Sequence, residues 1–201
     1  MRMTCAPGNL LIAVLLLLSA CIGQQTKKFP IGAWQVRRSE LLAIQDWSFQ
    51  GKLALKSDRG NANLKVGWTQ HREKYELILT GPLGQVLIKV YGENGKVTLV
   101  SAGSEPVSSE DAESLIYENW GWQLPVSQMP FWVRGIPAPD FPHQADYNSD
   151  GSLRQLRQLG WEIRFLKYQE QLPVRLEILT SEISLLLVVK EWHMPGSSND
   201  R

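Results

Sequence analysis

The sequence has few of the residues that usually build metal, nucleotide or nucleophilic sites. Among its 201 residues are only two cysteines, Cys5 and Cys21, and three histidines, which lie far apart. No G-x-S-x-G motif surrounds a serine, and the glycines of residues 92–96 lack P-loop spacing. We therefore expect no metal, no cofactor and no catalytic residue. A formal net charge of +1 gives no support for a nucleic-acid partner.

The first residues have the order of a secretory signal peptide. Arg2 supplies a positive charge, and the apolar run of residues 10–18 is too short to span a bilayer comfortably. Two small residues and then Cys21 follow, which is the order of a bacterial lipobox. We expect cleavage before Cys21 and acylation of this residue, which leaves no second cysteine for a disulfide. An ordinary signal peptide with a chance cysteine is the alternative.

Runs of alternating apolar and polar residues predict an antiparallel meander of strands. Strands are predicted at residues 47–56, 61–70, 74–80, 85–91, 96–101, 161–169, 173–180 and 183–192. The last of these runs is apolar on both faces, which predicts a central strand or a strand that faces two apolar environments. A sheet of this length usually curls, so we expect a barrel or half-barrel with a lined interior.

Helices are predicted near the start and the middle of the chain. Residues 34–44 form a short amphipathic helix. A second helix opens at residues 108–111, with a hydroxyl N-cap and then acidic residues, and ends at Gly121. A third covers residues 127–134, where Pro130 kinks the helix or makes it start late.

These patterns divide the chain into four parts. The predicted parts are a lipoprotein signal peptide at 1–20, a lipidated N-terminus and tether at 21–33, a single domain at 34–194 and a polar tail at 195–201. Residues 137–142, within the domain, are expected to be an extended connector.

The turn Gly81-Pro82-Leu83-Gly84 carries an unexpected residue at its tip. Pro82 and Gly84 suit the second and fourth positions of a type I turn, whereas a tip is usually polar rather than aliphatic. Turn chemistry leaves two explanations for Leu83. The side chain either folds back into a local pocket or stands exposed because a membrane is its partner.

An ordered set of short segments carries a resemblance to a known family. The lipobox is followed by WSFQGKLAL, VGWTQ, YELILTGPLG, DAESLI, GWQLPV and WVRGIP, and later by LGWEIRFLKY, LPVRLEIL and VVKEW. In this order they resemble the LolB family of outer-membrane lipoprotein receptors of the Lol pathway. The resemblance runs from Trp47 to Trp192, and residues 140–159 match only loosely.

The resemblance implies a fold and a function. The implied fold is mainly β with inserted helices, an antiparallel half-barrel (open β-barrel) enclosing an apolar cavity with a helical lid. The implied function is that of a lipid-anchored receptor, a monomer, on the periplasmic face of the outer membrane of a Gram-negative bacterium. It would accept acylated lipoproteins from the periplasmic carrier LolA and insert them among outer-membrane lipids, with no nucleotide.

The resemblance also implies functional residues. Its membrane-insertion loop would be Pro82, Leu83 and Gly84, with Leu83 as the protruding residue. Ile22 after the lipidated cysteine, where aspartate would favour inner-membrane retention, favours the outer membrane.

Several apolar positions are candidates for lining the acyl-chain cavity. They are Phe49, Leu53, Val66, Trp68, Leu77, Ile88, Leu115, Trp132, Phe165 and Leu187. Ordinary core packing is the alternative role for each of them, because alternation identifies a face of a strand but not what that face borders.

Two other functions fit parts of the sequence. A soluble LolA-like carrier would share the fold but lack the acylated Cys21. A lipid-anchored periplasmic hydrolase would need a polar cleft with perturbed titratable groups.

Overall fold

In the computed structural model of the protein, residues 31–194 are described, with side chains described from Trp34 onward. The predicted signal peptide, the acylation site Cys21, most of the tether and the tail 195–201 lie outside the described residues.

Within residues 31–194, eleven strands form a single antiparallel sheet. The strands are β1 (Asp46–Ser57), β2 (Gly60–His71), β3 (Lys74–Thr80), β4 (Val86–Glu93), β5 (Lys96–Ser101), β6 (Val107–Ser109), β7 (His143–Tyr147), β8 (Leu153–Gln158), β9 (Trp161–Gln169), β10 (Leu172–Leu179) and β11 (Ile183–His193). Three helices accompany the sheet in this part of the chain: α1 (Ile31–Ala43), α2 (Ala112–Trp120) and α3 (Met129–Trp132).

The sheet consists of two meanders joined at its centre. Its order is β6-β5-β4-β3-β2-β1-β11-β10-β9-β8-β7, so β11 lies between β1 and β10. Of the two alternatives predicted for residues 183–192, the central strand is therefore confirmed. The edge strands β6 and β7 do not pair with each other, so the sheet is an open half-barrel, as expected. The connection between these edges carries α2 and α3.

One face of the sheet is buried because the apolar residues alternate in register across neighbouring strands. Phe49 pairs with Trp68, and Leu53 lies between Leu64 on β2 and Leu187 on β11. All of these side chains are buried. The predicted alternation thus decides which face is internal, because side chains of one strand parity point to one side.

The start of α2 differs from the prediction. Val107, Ser108 and Ser109 pair with β5 as β6, and the helix begins only at Ala112, so neither serine occupies the N-cap position. The N-cap is Asp111, whose carboxylate accepts a hydrogen bond from the Ser114 amide at 3.1 Å. The Ser114 hydroxyl also donates to this carboxylate, at 2.7 Å. The bond from the hydroxyl first, and the bond from the amide second, hold the pKa of Asp111 below its usual range. The helix ends at Gly121 with a φ of 74°, as predicted.

The other boundaries differ by smaller amounts. Helix α1 begins at Ile31 and ends at Ala43, so it extends into the predicted tether. Helix α3 begins late, at Met129, with Pro130 in its first turn, which is one of the two outcomes expected for that proline. The predicted connector bends at Asp140, whose φ is 65°. Strand β7 was not predicted, since none of its residues is fully buried and its sequence lacks apolar alternation.

Gln158 fastens the connector to the sheet. This residue on β8 is only 3% exposed. Its side-chain oxygen accepts hydrogen bonds from the Trp132 indole and the Ala138 amide, both at 2.9 Å. Its side-chain nitrogen donates to the carbonyls of Ala138, at 2.8 Å, and Phe141, at 3.2 Å. One buried amide therefore satisfies four polar groups of α3 and the connector.

We expect Gln158→Leu to lower the free energy of unfolding by about 3 kcal/mol, because it leaves several buried polar groups without partners. Urea denaturation followed by tryptophan fluorescence measures this loss. Gln155→Leu on the same strand is the matched control, since the Gln155 side chain makes no hydrogen bond with residues 31–194. Equal stability of the two variants would show that Gln158 does not fasten the connector.

Candidate functional site

The interior of the half-barrel holds a small, wholly apolar cavity. Its volume is about 30 Å³. It is lined by Phe49, Leu53, Val66, Trp68, Leu77, Leu79, Leu124, Pro125, Val126, Met129, Leu185 and Leu187.

The structure places all ten predicted cavity residues in the core, at no more than 7% exposure. Six of them meet at the cavity: Phe49, Leu53, Val66, Trp68, Leu77 and Leu187. Ile88, Leu115, Trp132 and Phe165 pack in the surrounding core instead. A role of any of the ten in binding acyl chains stays a prediction.

Sequence reasoning missed the cavity wall that faces the sheet. This wall consists of Leu124, Pro125 and Val126, which precede α3, together with Met129. We name residues 111–132 the covering segment, since they contain α2, α3 and the loop between them. The only sequence signal for the wall was an apolar triplet between two predicted helices.

The cavity is narrow while the covering segment lies on the sheet, because Leu124, Pro125, Val126 and Met129 form one of its walls. We therefore expect the segment to move outward if a chain of a dozen or more methylenes is to enter. Leu124 and Val126 are almost fully buried against the sheet. Opening would expose their apolar surface at a cost of about 25 cal/mol per Å², which an acyl chain in the vacated space would offset.

Glu113 joins the two halves of the covering segment. Its carboxylate on α2 accepts hydrogen bonds from the Ser127 amide at 2.8 Å and from the Ser127 hydroxyl at 3.0 Å. Through these bonds α2 and the loop before α3 are held together as one unit. The charge of Glu113 also acts on Tyr75, since burial first and Glu113 second raise the pKa of that phenol to about 12.

Tyr75 needs a glycine opposite it. Its ring stacks on Trp68 at 5.0 Å and crosses β4 at its cross-strand partner Gly92. A Cβ atom at position 92 would overlap this ring. Gly92 is therefore required for close approach rather than for a turn.

Aromatic rings close one end of the half-barrel. Trp47 stacks on Phe49 at 6.3 Å and on Trp68 at 6.2 Å, and Trp192 is tilted against both Trp47 and Phe49. The guanidinium of Arg134 lies 5.4 Å from the centre of the Trp47 ring. This end contains the start of β1 and the β2–β3 turn.

The loop at the opposite end exposes Leu83. The Gly84 amide donates to the Gly81 carbonyl at 3.0 Å, and the Gly81 amide donates to the Gln85 carbonyl at 2.9 Å. These bonds close the predicted turn, and the positive φ of 88° at Gly84 suits a glycine. Pro82 is exposed and the Leu83 side chain is 93% exposed. The side chain of Leu83 fills no local pocket, whereas its role at a membrane stays a prediction.

The titratable groups serve structural contacts. The lowered pKa values of Asp150 and Glu162 arise first from hydrogen bonds to Ser152 and Arg164, respectively. Within residues 31–194, no three His, Cys, Asp or Glu side chains are arranged to hold a metal ion. Nor does any helix there have the length and apolarity needed to cross a membrane.

The fold and its interior define a class of protein: an open antiparallel half-barrel whose apolar inner face is covered by an inserted helical segment. A crystal structure of a DUF1329 family protein from Desulfovibrio piger shares this fold. The TM-score is 0.55 at 8% sequence identity, covering 84% of this chain and 94% of that one.

Sequence comparison places the chain more narrowly. The family model for outer membrane lipoprotein LolB matches residues 45–192. The outer-membrane lipoprotein LolB of Pseudomonas aeruginosa is 33% identical over 189 residues, covering 90% of this chain and 92% of the relative. That of Pseudomonas putida F1 is 33% identical over 185 residues, covering 88% and 90%. The chain belongs to the LolB family, a family of lipoprotein-transport receptors of the Lol pathway that is not known for enzymes.

We expect Glu113→Ala to loosen the covering segment. Loss of two hydrogen bonds to a charged acceptor should speed hydrogen exchange at Ser127 and the amides around it by roughly tenfold. Hydrogen-exchange mass spectrometry measures this change. Glu118→Ala on the same helix is the control, because Glu118 is exposed and has no polar contact within residues 31–194. Identical exchange in both variants would show that Glu113 does not join the two halves.

Proposed function

We propose that this protein is a lipid-anchored receptor on the periplasmic face of the outer membrane. It accepts acylated lipoproteins from the periplasmic carrier LolA in its apolar interior and inserts them into the inner leaflet of that membrane. The names of the relatives support the location, since they are outer-membrane lipoproteins. The support for the two transfer steps comes from residues of this chain, namely those of its exposed loop and of its apolar interior.

The observation that carries this proposal is the exposure of Leu83. An aliphatic side chain in water gains none of the roughly 1.5–3 kcal/mol that burial of a leucine supplies. The turn needs no leucine, because Pro82 and Gly84 already meet its backbone requirements. A bilayer surface would bury this side chain, as it does the apolar residues of proteins that lie at the headgroup boundary. Val86, 41% exposed at the base of the loop, enlarges the apolar tip.

The apolar interior supports the acceptance step. Acyl chains cannot cross water unshielded, and the inner face of the sheet offers aromatic and aliphatic side chains in place of solvent. The covering segment has to move to admit them, and its return to the sheet then competes with the bound chains. This competition keeps binding weak enough for release to the bilayer, since a ligand shifts an equilibrium only by its difference in affinity for the two states.

The direction of transfer follows from relative affinities. Without a nucleotide, each acceptor has to hold the acyl chains more tightly than its donor does. A receptor tethered by an acylated Cys21 would stay at the membrane, where the bilayer is the next acceptor. Two or more acyl chains are enough for stable anchoring.

A hydrolase receives less support from the described residues. The carboxylates whose pKa values shift are lowered by hydrogen bonds that stabilise a helix N-terminus, a turn and a strand pair. A general acid in a cleft would need a raised pKa instead.

We expect Leu83→Glu to block delivery while preserving the fold. The side chain is exposed, so the free energy of unfolding should change by less than about 0.5 kcal/mol, and cargo should still be accepted from the carrier. A carboxylate at the tip would resist entry into the headgroup boundary, so incorporation of a labelled lipoprotein into liposomes should fail. Liposome flotation after incubation with the loaded carrier measures this step.

The matched control is Leu166→Glu. Leu166 is also an exposed leucine, at 47%, but it lies on β9 rather than at the loop. This variant should deliver cargo at the wild-type rate. Wild-type delivery by Leu83→Glu would remove the insertion role from the loop.

Acylation of Cys21 separates the receptor from a soluble carrier. We expect the mature protein, purified from a Gram-negative host, to begin at Cys21 and to carry the added mass of a diacylglyceryl group on the Cys21 thiol and of a third acyl chain on its amino group. Intact-mass and N-terminal peptide mass spectrometry test this, with Cys21→Ser as the unprocessed control. An unmodified soluble product would favour the carrier function instead.

A further inference from the structure

Arg134 is a buried cation that joins α3 to the end of α1. It follows α3 and is 5% exposed. Its Nε donates to the Pro130 carbonyl at 2.7 Å, and its Nη1 donates to the carbonyls of Leu41 at 2.7 Å and Ile44 at 2.8 Å. It therefore connects the covering segment to the end of α1.

The guanidinium has capacity left for a ligand. Its five N–H groups lie in a fixed fork, and the three on Nε and Nη1 are used by the protein. Within residues 31–194, Nη2 has no hydrogen-bond partner and no carboxylate pairs with this arginine. Burial without a counter-ion lowers the pKa of Arg134 to about 10. The two N–H groups of Nη2 are therefore available to an acceptor oxygen from solvent or from a ligand, and hydrogen bonds from a charged donor are stronger than those from a neutral one.

The guanidinium lines a second, larger cavity that is open to solvent. This cavity has a volume of about 760 Å³ and lies at the aromatic end of the half-barrel, away from Leu83. Its apolar wall includes Leu42 at the end of α1, Ile44 just after that helix, Trp47 at the start of β1, and Phe131 from α3. Such a surface suits the apolar part of an amphiphile rather than a free ion.

The rim of the open cavity is mostly cationic or neutral. His71, Arg72 and Lys74 line it beside a single acidic residue, Glu73. Lys74 is paired with Glu93. Among the lining side chains, Arg72, Lys74 and Arg134 are positive and Glu73 is negative. With His71 counted as neutral, the formal net charge of the lining is +2. This balance favours oxygen-rich or anionic groups.

Only a thin partition separates the open cavity from the closed apolar one. Trp47 lines the open cavity and stacks on Phe49 and Trp68, which line the closed cavity. On the other side, Met129 and Phe131 are near neighbours in α3, and they face the closed and the open cavity respectively. Movement of α3 would join the two spaces, with Arg134 at their boundary.

We propose that Arg134 binds the polar junction of an acylated ligand, with Nη2 donating to its ester carbonyl or phosphate oxygens while the acyl chains extend into the interior. This inference rests on the proposed function and adds the polar half of the ligand site. Arg134 already binds three carbonyl oxygens of the protein, and a guanidinium suits paired oxygens better than an ammonium does. The oxygens could belong to the diacylglyceryl group of a lipoprotein or to a phospholipid.

The test compares ligands that differ only at the junction. The probes are two soluble peptides with an N-terminal S-glycerylcysteine, one carrying two ester-linked acyl chains and one carrying two ether-linked chains of equal length. The ether peptide keeps the apolar part but lacks both carbonyl acceptors. Hydrogen bonds to a charged donor predict that the intact protein binds the ester peptide about tenfold more tightly than the ether peptide.

Variants test whether Arg134 causes this preference. Leu42→Glu places a carboxylate on the same cavity wall, where it can occupy Nη2, and should abolish the preference. Leu42→Gln is the matched uncharged control and should retain it. Arg134→Lys, which keeps the charge but loses the fork, should also lose the preference. Thermal unfolding of each variant identifies any that fail to fold, and the Leu42 pair leaves the contacts of Arg134 with the protein in place.

A third probe distinguishes the source of the oxygens. An ether-linked lysophosphatidylglycerol carries a phosphate but no ester carbonyl. Arg134-dependent binding of this probe, with equal binding of the two peptides, would assign the site to phospholipid headgroups. Arg134-dependent preference for the ester peptide assigns it to the lipoprotein junction.

The outcomes separate this inference from the proposed function. Tight binding of all three probes that is unchanged in Leu42→Glu would overturn the role of Arg134 and leave acyl-chain binding intact. No measurable binding of either peptide by the wild-type protein would overturn the proposed function, and the inference with it.

Discussion

The structure depends on one requirement: an open sheet with an apolar inner face has to be covered. A closed barrel buries its inner face by pairing its first and last strands, but here β6 and β7 remain unpaired edges. The covering segment therefore buries the apolar inner face that closure of the barrel would otherwise bury. Besides this apolar burial, specific polar contacts hold it: Glu113 holds its two halves together, Gln158 fastens its end to β8, and Arg134 fastens it to α1. A cover held by side chains rather than by a strand ladder can open without breaking the sheet.

The sheet was predictable because its signals are local. Alternation in residues 47–101 and 161–192 identified the strands and their buried face, and the pair Asn94-Gly95 identified a hairpin. The doubly apolar run of β11 identified the centre of the sheet. Each of these signals depends on neighbours in sequence or on the period of a strand.

The site was less predictable because its parts meet only in three dimensions. Arg134 receives its carbonyl partners from residues 90 and 93 positions earlier in the chain, which no local pattern indicates. The sequence of residues 124–126 is typical of a loop. These residues are buried because they cover the apolar inner face of the sheet, which the sequence alone does not indicate. Strand β7 pairs at an edge through its backbone, so its side chains show no alternation. The N-cap is Asp111 rather than a serine, because Ser108 and Ser109 pair with β5 and the helix begins after them.

The central position of β11 has a consequence for how the molecule forms. In the register of β1 with β11, Ser48 lies opposite His193, a separation of 145 residues from 193 minus 48. Forming a contact between residues so distant in sequence carries a large loop-closure entropy cost. Proteins in which such contacts dominate fold more slowly. Without the last strand, β1 would be an unpaired edge of the first meander, and an unpaired edge is open to pairing with other chains. The final strand of the sequence is thus the one that makes the two halves into a single unit and removes that hazard.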